Sequence, residues 1–302
     1  QERIFLNGEE NGPTGRAFAH IATGVNAGTS YQLPALGKFS WENALACPSS
    51  GDTTLVIGTD DATPGQVYVY LGVKSNTGNE IEKAGLTGGN LFGIKVAGLS
   101  SETSGSMISP NSKFTLASLG KVDNMTGGAL DTASNTAGVT KFLRPEDGAW
   151  DPSHPNDFYF VTTNAFTSPS RMYKLHFENI LNPSLGGQIT AVLDGTEGQK
   201  MMDNICIDKK GHIMIQEDPG NVSHHAKVWR YTPATDSIEL IATHDSTRFT
   251  TGAANFLTQD EESSGIIDMQ DILGAGKYLL VDQAHYSIAG ELVEGGQMLL
   301  YS

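Results

Sequence analysis

Acidic residues recur in one setting along the chain: Glu42 in WENALAC, Glu146 in RPEDGAWD, Asp203 in MDNICID, and Glu261 with Glu262 in EESSGIID. Each stands just before a short apolar run. A second set closes the apolar run that follows, with Asp60 and Asp61, Glu217 and Asp218, and Asp282. Carboxylates that face one another repel and raise one another's pKa, so a ring of them is costly unless a cation sits among them. A hard divalent ion is the economical partner, and calcium accepts about six to eight oxygens in flexible geometry. Asn43 and Asn204, each beside one of the acids, are expected to complete its shell.

Residue type separates ligands from turn formers. Glu is a poor turn former, so Glu146, Glu217 and Glu262 are read as metal ligands. Asp151, Asp208 and Asp268 follow the acidic starts by five or six residues and are read as turn residues bonding local backbone. Arg144 admits two readings: a counter-charge for Glu146, or a guanidinium fork for a phosphate. His224 and His225, in NVSHH, are expected in solvent, and His285, beyond a strand end in DQAHY, is expected to face the site. The remaining histidines show no zinc spacing.

These residues need elements to bring them together, and the chain carries an internal repeat that would do so. Segments from Trp41, Arg144, Met202 and Glu261 share an order: acidic or amide residues, a short apolar strand, a turn, and a second apolar strand. A variable polar loop then leads to a third strand, seen as VYVYL, MYKLHF, VWRYT and MLLYS. That is the inner part of a propeller blade. Second strands are expected near Leu55, Phe158, Ile213 and Tyr278, the last three at intervals of about 55 to 65 residues. The wider first gap leaves room for a further blade on LFGIKVAG and KFTLASLG, and RAFAHIATG is a candidate partner for the final blade. The expected fold is an all-β propeller over residues 1–302 as a single domain, six-bladed with five as the other count, its metal site in the central channel.

Composition agrees and excludes other classes. Among 302 residues there are 35 glycines, with turn dipeptides throughout, which favours many short strands over long helices. The 19 basic residues against 34 acidic ones give a net charge of −15, which disfavours nucleic acid and anionic lipid surfaces. No apolar run approaches the ~20 residues that cross a bilayer, so membrane insertion is not expected. Cys47 and Cys206 form no CxxC pair. No GxSxG elbow, P-loop, GxGxxG, HExxH or EF-hand loop is present, so a protein nucleophile or nucleotide cradle is not indicated.

The stretches FLRPEDGAWDP, MDNICIDKKGHIMIQEDPG, FLTQDEESSGIIDMQDILG, DQAHY and ELVEGGQMLLY resemble, in order, the PhoX family of calcium-dependent alkaline phosphatases and its shorter relatives. The resemblance runs from about Trp41 to the carboxyl terminus. It implies a six-bladed propeller, exported by bacteria to the periplasm or medium, with a calcium and iron cluster that hydrolyses phosphate esters. It implies a substrate-binding role for Arg144, a metal-ligating role for Glu146, further ligands at Glu217 and Glu262, and an iron ligand at Cys47. With the acids read from position, the expected metal set is Glu42, Cys47, Asp60, Glu146, Asp203, Glu217, Glu261 and Glu262. Arg144 and Glu146 are the expected catalytic pair. The chain is shorter than full-length family members, and ACPSSGD departs from the glycine-rich surroundings of the family cysteine. The expected function is a calcium-dependent phosphate-ester hydrolase, a phosphomonoesterase or phosphodiesterase, acting as a monomer on a small molecule, with Fe3+ as a second ion. The alternative is a non-catalytic, calcium-stabilised propeller that binds a polysaccharide or a protein partner.

Overall fold

A computed structural model describes residues 2–106 and 108–302. The chain packs as two compact units, one of Gln1–Trp150, Pro155–Tyr159 and Lys174–Ala191, the other of Asp151–His154, Phe160–Tyr173 and Val192–Ser302. No helix among the described residues is long and apolar enough to cross a membrane.

In the first unit, β1 (Ile4–Gly8), β2 (Ala17–Ile21) and β3 (Ser30–Gln32) form a three-stranded sheet. RAFAHIATG lies in β2, whose two edges are taken by β1 and β3, so it does not serve as the partner of the last strand. Next come β4 (Trp41–Ala46), β5 (Thr53–Asp60), β6 (Gly65–Val73), β7 (Asn90–Val96) and β8 (Ser112–Gly120), each antiparallel to the one before. LFGIKVAG and KFTLASLG are therefore β7 and β8. They continue the first meander instead of starting another, because β7 pairs directly with β6 over Tyr68–Leu71.

A two-residue β9 (Lys141–Phe142) pairs with β6. The meander β10 (Pro145–Trp150), β11 (Asp157–Thr162), β12 (Arg171–Phe177), β13 (Gly187–Leu193) follows, and β13 also pairs with β8. The second unit contains the four-stranded meander β14 (Met202–Ile207), β15 (Ile213–Glu217), β16 (Lys227–Thr232), β17 (Ser237–Thr243) and the three-stranded β18 (Glu261–Asp268), β19 (Tyr278–Ser287), β20 (Glu294–Tyr301).

The four repeat segments are thus the meanders headed by β4, β10, β14 and β18. Their second strands read as apolar runs because β5, β11 and β15 are buried almost from end to end, on both faces. The outer strand β17 has no fully buried residue, so its sequence keeps Glu239 and Thr243 among apolar neighbours. Trp41, Phe39, Tyr68, Val56 and Leu91 share one core in the first unit, with Phe39 stacked on Trp41 at 4.0 Å between centroids.

The longest helix among the described residues, Gly127–Ala137, is not legible in GGALDTASNTA, where Gly, Asp, Thr, Ser and Asn outnumber Ala and Leu. Its ends and its packing make it. The Thr126 side chain accepts from the Ala129 amide at 3.2 Å, Gly138 takes the left-handed φ of 73° that ends it, and Leu130 is buried.

The three turn aspartates behave as their positions predict. Asp151 accepts from the amides of Ser153 and His154, Asp208 from Lys210 and His212, and Asp268 from Gln270. Asp208 also takes the Tyr278 hydroxyl at 2.7 Å. Burial works against its ionisation, but the Tyr278 hydroxyl and the His212 and Lys210 donors outweigh it and hold its carboxyl below the usual range. Asp208→Ala, which strands these donors, is expected to lower the unfolding free energy by about 2 kcal/mol, read from the urea midpoint at constant m.

Candidate metal and phosphate site

Two of the acidic positions, Glu42 and Asp203, sit where the inner strands are irregular. The register of β4 against β5 shifts between Trp41 and Asn43, at Glu42. That of β14 against β15 shifts between Met202 and Ile205, at Asp203 and Asn204. That of β18 shifts between Ser263 and Ile266. A bulge inserts an extra residue, re-aims a side chain and leaves an amide without its ladder partner. Asn43 meets that need, its side-chain oxygen accepting from Ala44 at 2.8 Å, and on β10 the residue after the acid makes the same bond, the Asp147 carboxylate accepting from Gly148 at 2.6 Å. In the third meander, Asn204 accepts from Gly265 at 2.7 Å. The amide oxygens of Asn43 and Asn204, expected in a calcium shell, are thus engaged with backbone.

In the first unit these devices bring Glu42 on β4 and Glu146 on β10 together, with carboxylate oxygens within 4.8 Å. Glu146 is 2% exposed. Arg144 lies beside them, its guanidinium forked onto Asp61 at 2.9 and 3.1 Å and its Nη2 3.0 Å from Glu146 Oε1. Asn43 donates to Asp147. Burial, then the charges of Glu10, Asp147 and Asp61, push the Glu42 carboxyl up to about 8, against a hydrogen bond with Glu146 that lowers it. Glu10 is also raised, by burial and then by the charge and hydrogen bond of Asp61. Glu10 and Asp61 are the members that the positional pattern left out of the expected ligand set. The acid pair at Glu9 and Glu10 was the available signal, since Arg16 engages Glu9 alone.

Arg144 has φ of +59°, the left-handed region, directly before Pro145. Such a conformation costs roughly 1–2 kcal/mol for a residue with a Cβ and persists only where surrounding contacts hold it. Here the fork on Asp61 and the contact with Glu146 do so.

Asp60 is engaged by backbone, and Cys47 stands apart from this pair. Asp60 lies opposite Trp41 and accepts from the Ser40 amide at 3.1 Å, and burial raises its carboxyl to about 7. Cys47 is a buried thiol at the far end of β4, five residues from Glu42. An extended strand spans roughly 17 Å over that distance, so the two cannot share one ion. Burial also pushes the Cys47 thiol up, away from the thiolate that binds metal.

In the second unit, Asp203 is half-buried on β14. Glu217, at the end of β15 and fully buried, accepts from the Lys200 amide and the Trp229 indole at 2.8 Å each and meets His224 at 2.8 Å. Glu261 meets His225 at 3.2 Å, and Glu262 lies 3.6 Å from His285. His224 and His225 are therefore not solvent-exposed, as their loop suggested, but turned onto buried carboxylates with 18% and 21% of their side chains accessible. Burial, then the charge of Asp218, raises Glu262. Glu217→Ala would strand two part-buried N–H donors, and a loss of about 2 kcal/mol is expected, measured by chemical denaturation.

Residues 25–197 match the family model Alkaline phosphatase PhoX, more than half of the chain. The chain belongs to the PhoX alkaline phosphatase family. Among solved structures it is similar to Pseudomonas fluorescens PhoX in complex with vanadate, a transition state analogue, with a TM-score of 0.63 and 14% identity over 95% of this chain and 56% of that one. The chain thus spans just over half the length of that PhoX structure. At this identity the likeness speaks for the fold, and the fold is all-β of propeller type, as the repeat predicts. A weaker likeness, TM-score 0.40 and 10% identity over 99% of this chain and 85% of the other, relates it to the periplasmic gluconolactonase of Pseudomonas aeruginosa. No curated protein matches. RPE, the PhoX-like tripeptide of the sequence, is Arg144–Glu146 and supplies both the fork and the buried acid beside Glu42.

Proposed function

We propose that this chain is a calcium-dependent phosphate-ester hydrolase, with Glu42 and Glu146 holding the cation and Arg144 binding the phosphate. The observation that carries the reading is the adjacency of Glu42 and the buried Glu146 to a guanidinium fixed by Asp61, in a chain of the PhoX family.

The donor set fits a hard divalent ion. It is all oxygen, Glu146 is buried and Glu42 half-buried, and burial with the charges of Glu10, Asp147 and Asp61 keeps Glu42 protonated up to about 8. A bound ion supplies charge neutralisation for the phosphate oxygens. Asp61 fixes the plane of the Arg144 guanidinium, so its edge meets phosphate without a search through rotamers. Glu146 touches Arg144, which ties the cation-binding oxygens to the phosphate-binding nitrogens. Phosphate held there is positioned for water to attack phosphorus as the ester P–O bond breaks and the alcohol leaves.

The closed fork favours a second reading, in which Arg144 is only a counter-ion and calcium stabilises a binding propeller. Hydrolysis of p-nitrophenyl phosphate at mildly alkaline pH, with added calcium and again after chelation, separates the two. The hydrolase predicts calcium-dependent turnover lost on chelation. A folded, calcium-loaded sample without turnover, whose melting temperature still rises with calcium, supports the binding propeller.

A further inference from the structure

The second-strand acids of three meanders occupy comparable places, and two of them are satisfied by the chain itself. Asp60 accepts the Ser40 amide, and Glu217 accepts the Lys200 amide and the Trp229 indole. Asp282 on β19 departs from this pattern. Its Oδ1 is buried and has no hydrogen-bond partner among the described residues. The same holds for Nδ1 of His244, which lies 3.7 Å away, with only 11% and 10% of the two side chains accessible. Buried polar atoms are seldom left unpaired, because each costs about 1–3 kcal/mol, so an unpaired facing couple points to something that fills it.

Both residues line a cavity of about 390 Å³ within the second unit. Val228, Phe249, Leu280, Leu299 and Tyr301 are among its apolar walls, and Asp245, Arg248, Ser263 and Gln297 are among the polar ones. The His244 ring packs on Phe249 at 5.4 Å between centroids. The volume is at the small end of small-molecule sites, which combine apolar walls with a few convergent polar groups.

We infer that this cavity binds a small apolar molecule carrying one hydroxyl, held between His244 and Asp282. One oxygen can stand within hydrogen-bond distance of two atoms 3.7 Å apart, donating its proton to the Asp282 carboxylate and accepting from an imidazole N–H. Charge agrees with those roles. Burial, then the charge of His225, holds His244 down at about 4, so it is neutral at physiological pH, and Asp282, raised by burial to about 6, is still ionised there. The rest of the molecule lies against Leu280, Val228 and Phe249. Asp282 and Asp245, which both line the cavity, disfavour a carboxylate or phosphate there, which separates this site from the proposed phosphate site.

Isothermal calorimetry with 4-ethylphenol and ethylbenzene tests the assignment on the wild-type chain. The phenol is expected to bind at least about tenfold more tightly, one hydrogen-bonded couple being worth about that factor. Asp282→Leu, which removes the acceptor and an unpaired buried charge, is expected to unfold no earlier than wild type and to lose the preference. Ala242→Trp, at an exposed lining position, is expected to abolish binding of both probes without touching the core. Equal affinity for the two probes, no saturable binding of either, or affinity unchanged by Ala242→Trp would each overturn the inference.

Discussion

Arg144→Ala is expected to lower kcat/KM for p-nitrophenyl phosphate by about 10²–10³-fold, the loss typical of one preorganised charge-stabilising donor. It is also expected to cost about 3 kcal/mol of stability, because Asp61 and Glu146 lose the cation they share. The fork on Asp61 is the reason the replacement is not neutral for folding. Arg144→Lys separates the two effects: an ammonium restores charge near both acids but offers no planar fork. Most of the stability should return and little of the turnover. Turnover retained in a destabilised Ala variant would reduce Arg144 to a structural counter-ion.

Chelated protein is expected to become less stable as pH rises from 6.5 to 8, by roughly 1–2 kcal/mol, and calcium to reverse the trend. The sign follows from proton counting. Glu42, at about 8 when folded, binds more protons than its unfolded form between its ordinary value of 4.5 and 8, so raising pH across that window favours unfolding. Asp60, at about 7, and Asp282, at about 6, act in the same sense lower down. His244, at about 4 against an ordinary 6.5, opposes them, its stabilisation being lost only as pH falls from 6.5 towards 4. Above 6.5 the carboxylates act together with His285: burial lowers it, but its bond to Glu294 and the charge of Glu262 outweigh that and raise it, so that its stabilisation is likewise lost as pH rises. Because calcium requires Glu42 ionised, its stabilisation should be larger at pH 8 than at pH 5.5. Thermal melts of wild type and Glu42→Gln check this. The variant should show a flatter pH profile and a weaker calcium response, and a profile identical to wild type would remove Glu42 from the site.

Much of the architecture was open to reading because blade strands announce themselves locally. A second strand buried on both faces must be a short apolar run, and β15, reading IMIQE with every residue buried, could hardly be anything else. The turn aspartates were legible for the same reason, since Asp208 meets amides only two and four residues away. Pairing beyond nearest neighbours was not. LFGIKVAG and KFTLASLG read as strands, yet nothing within them says whether they start a sheet or extend one. RAFAHIATG likewise found its partners in β1 and β3.

By itself the sequence determined the all-β class, the four repeat segments, the family likeness and the acids at the inner-strand starts, all properties of period, residue type and local spacing. Only the tertiary structure decided which acids meet and what each one holds. Glu10 reaches Asp61, Arg144 closes its fork on that same Asp61, and His224 and His225 turn from an apparently polar loop onto buried glutamates. The physical reason is that a carboxylate's state is set by neighbours within a few ångströms, and those come from residues tens of positions away. Asp60, Glu217 and Asp282 are alike in sequence position. The donors that folding delivers satisfy the first two and leave the third facing His244.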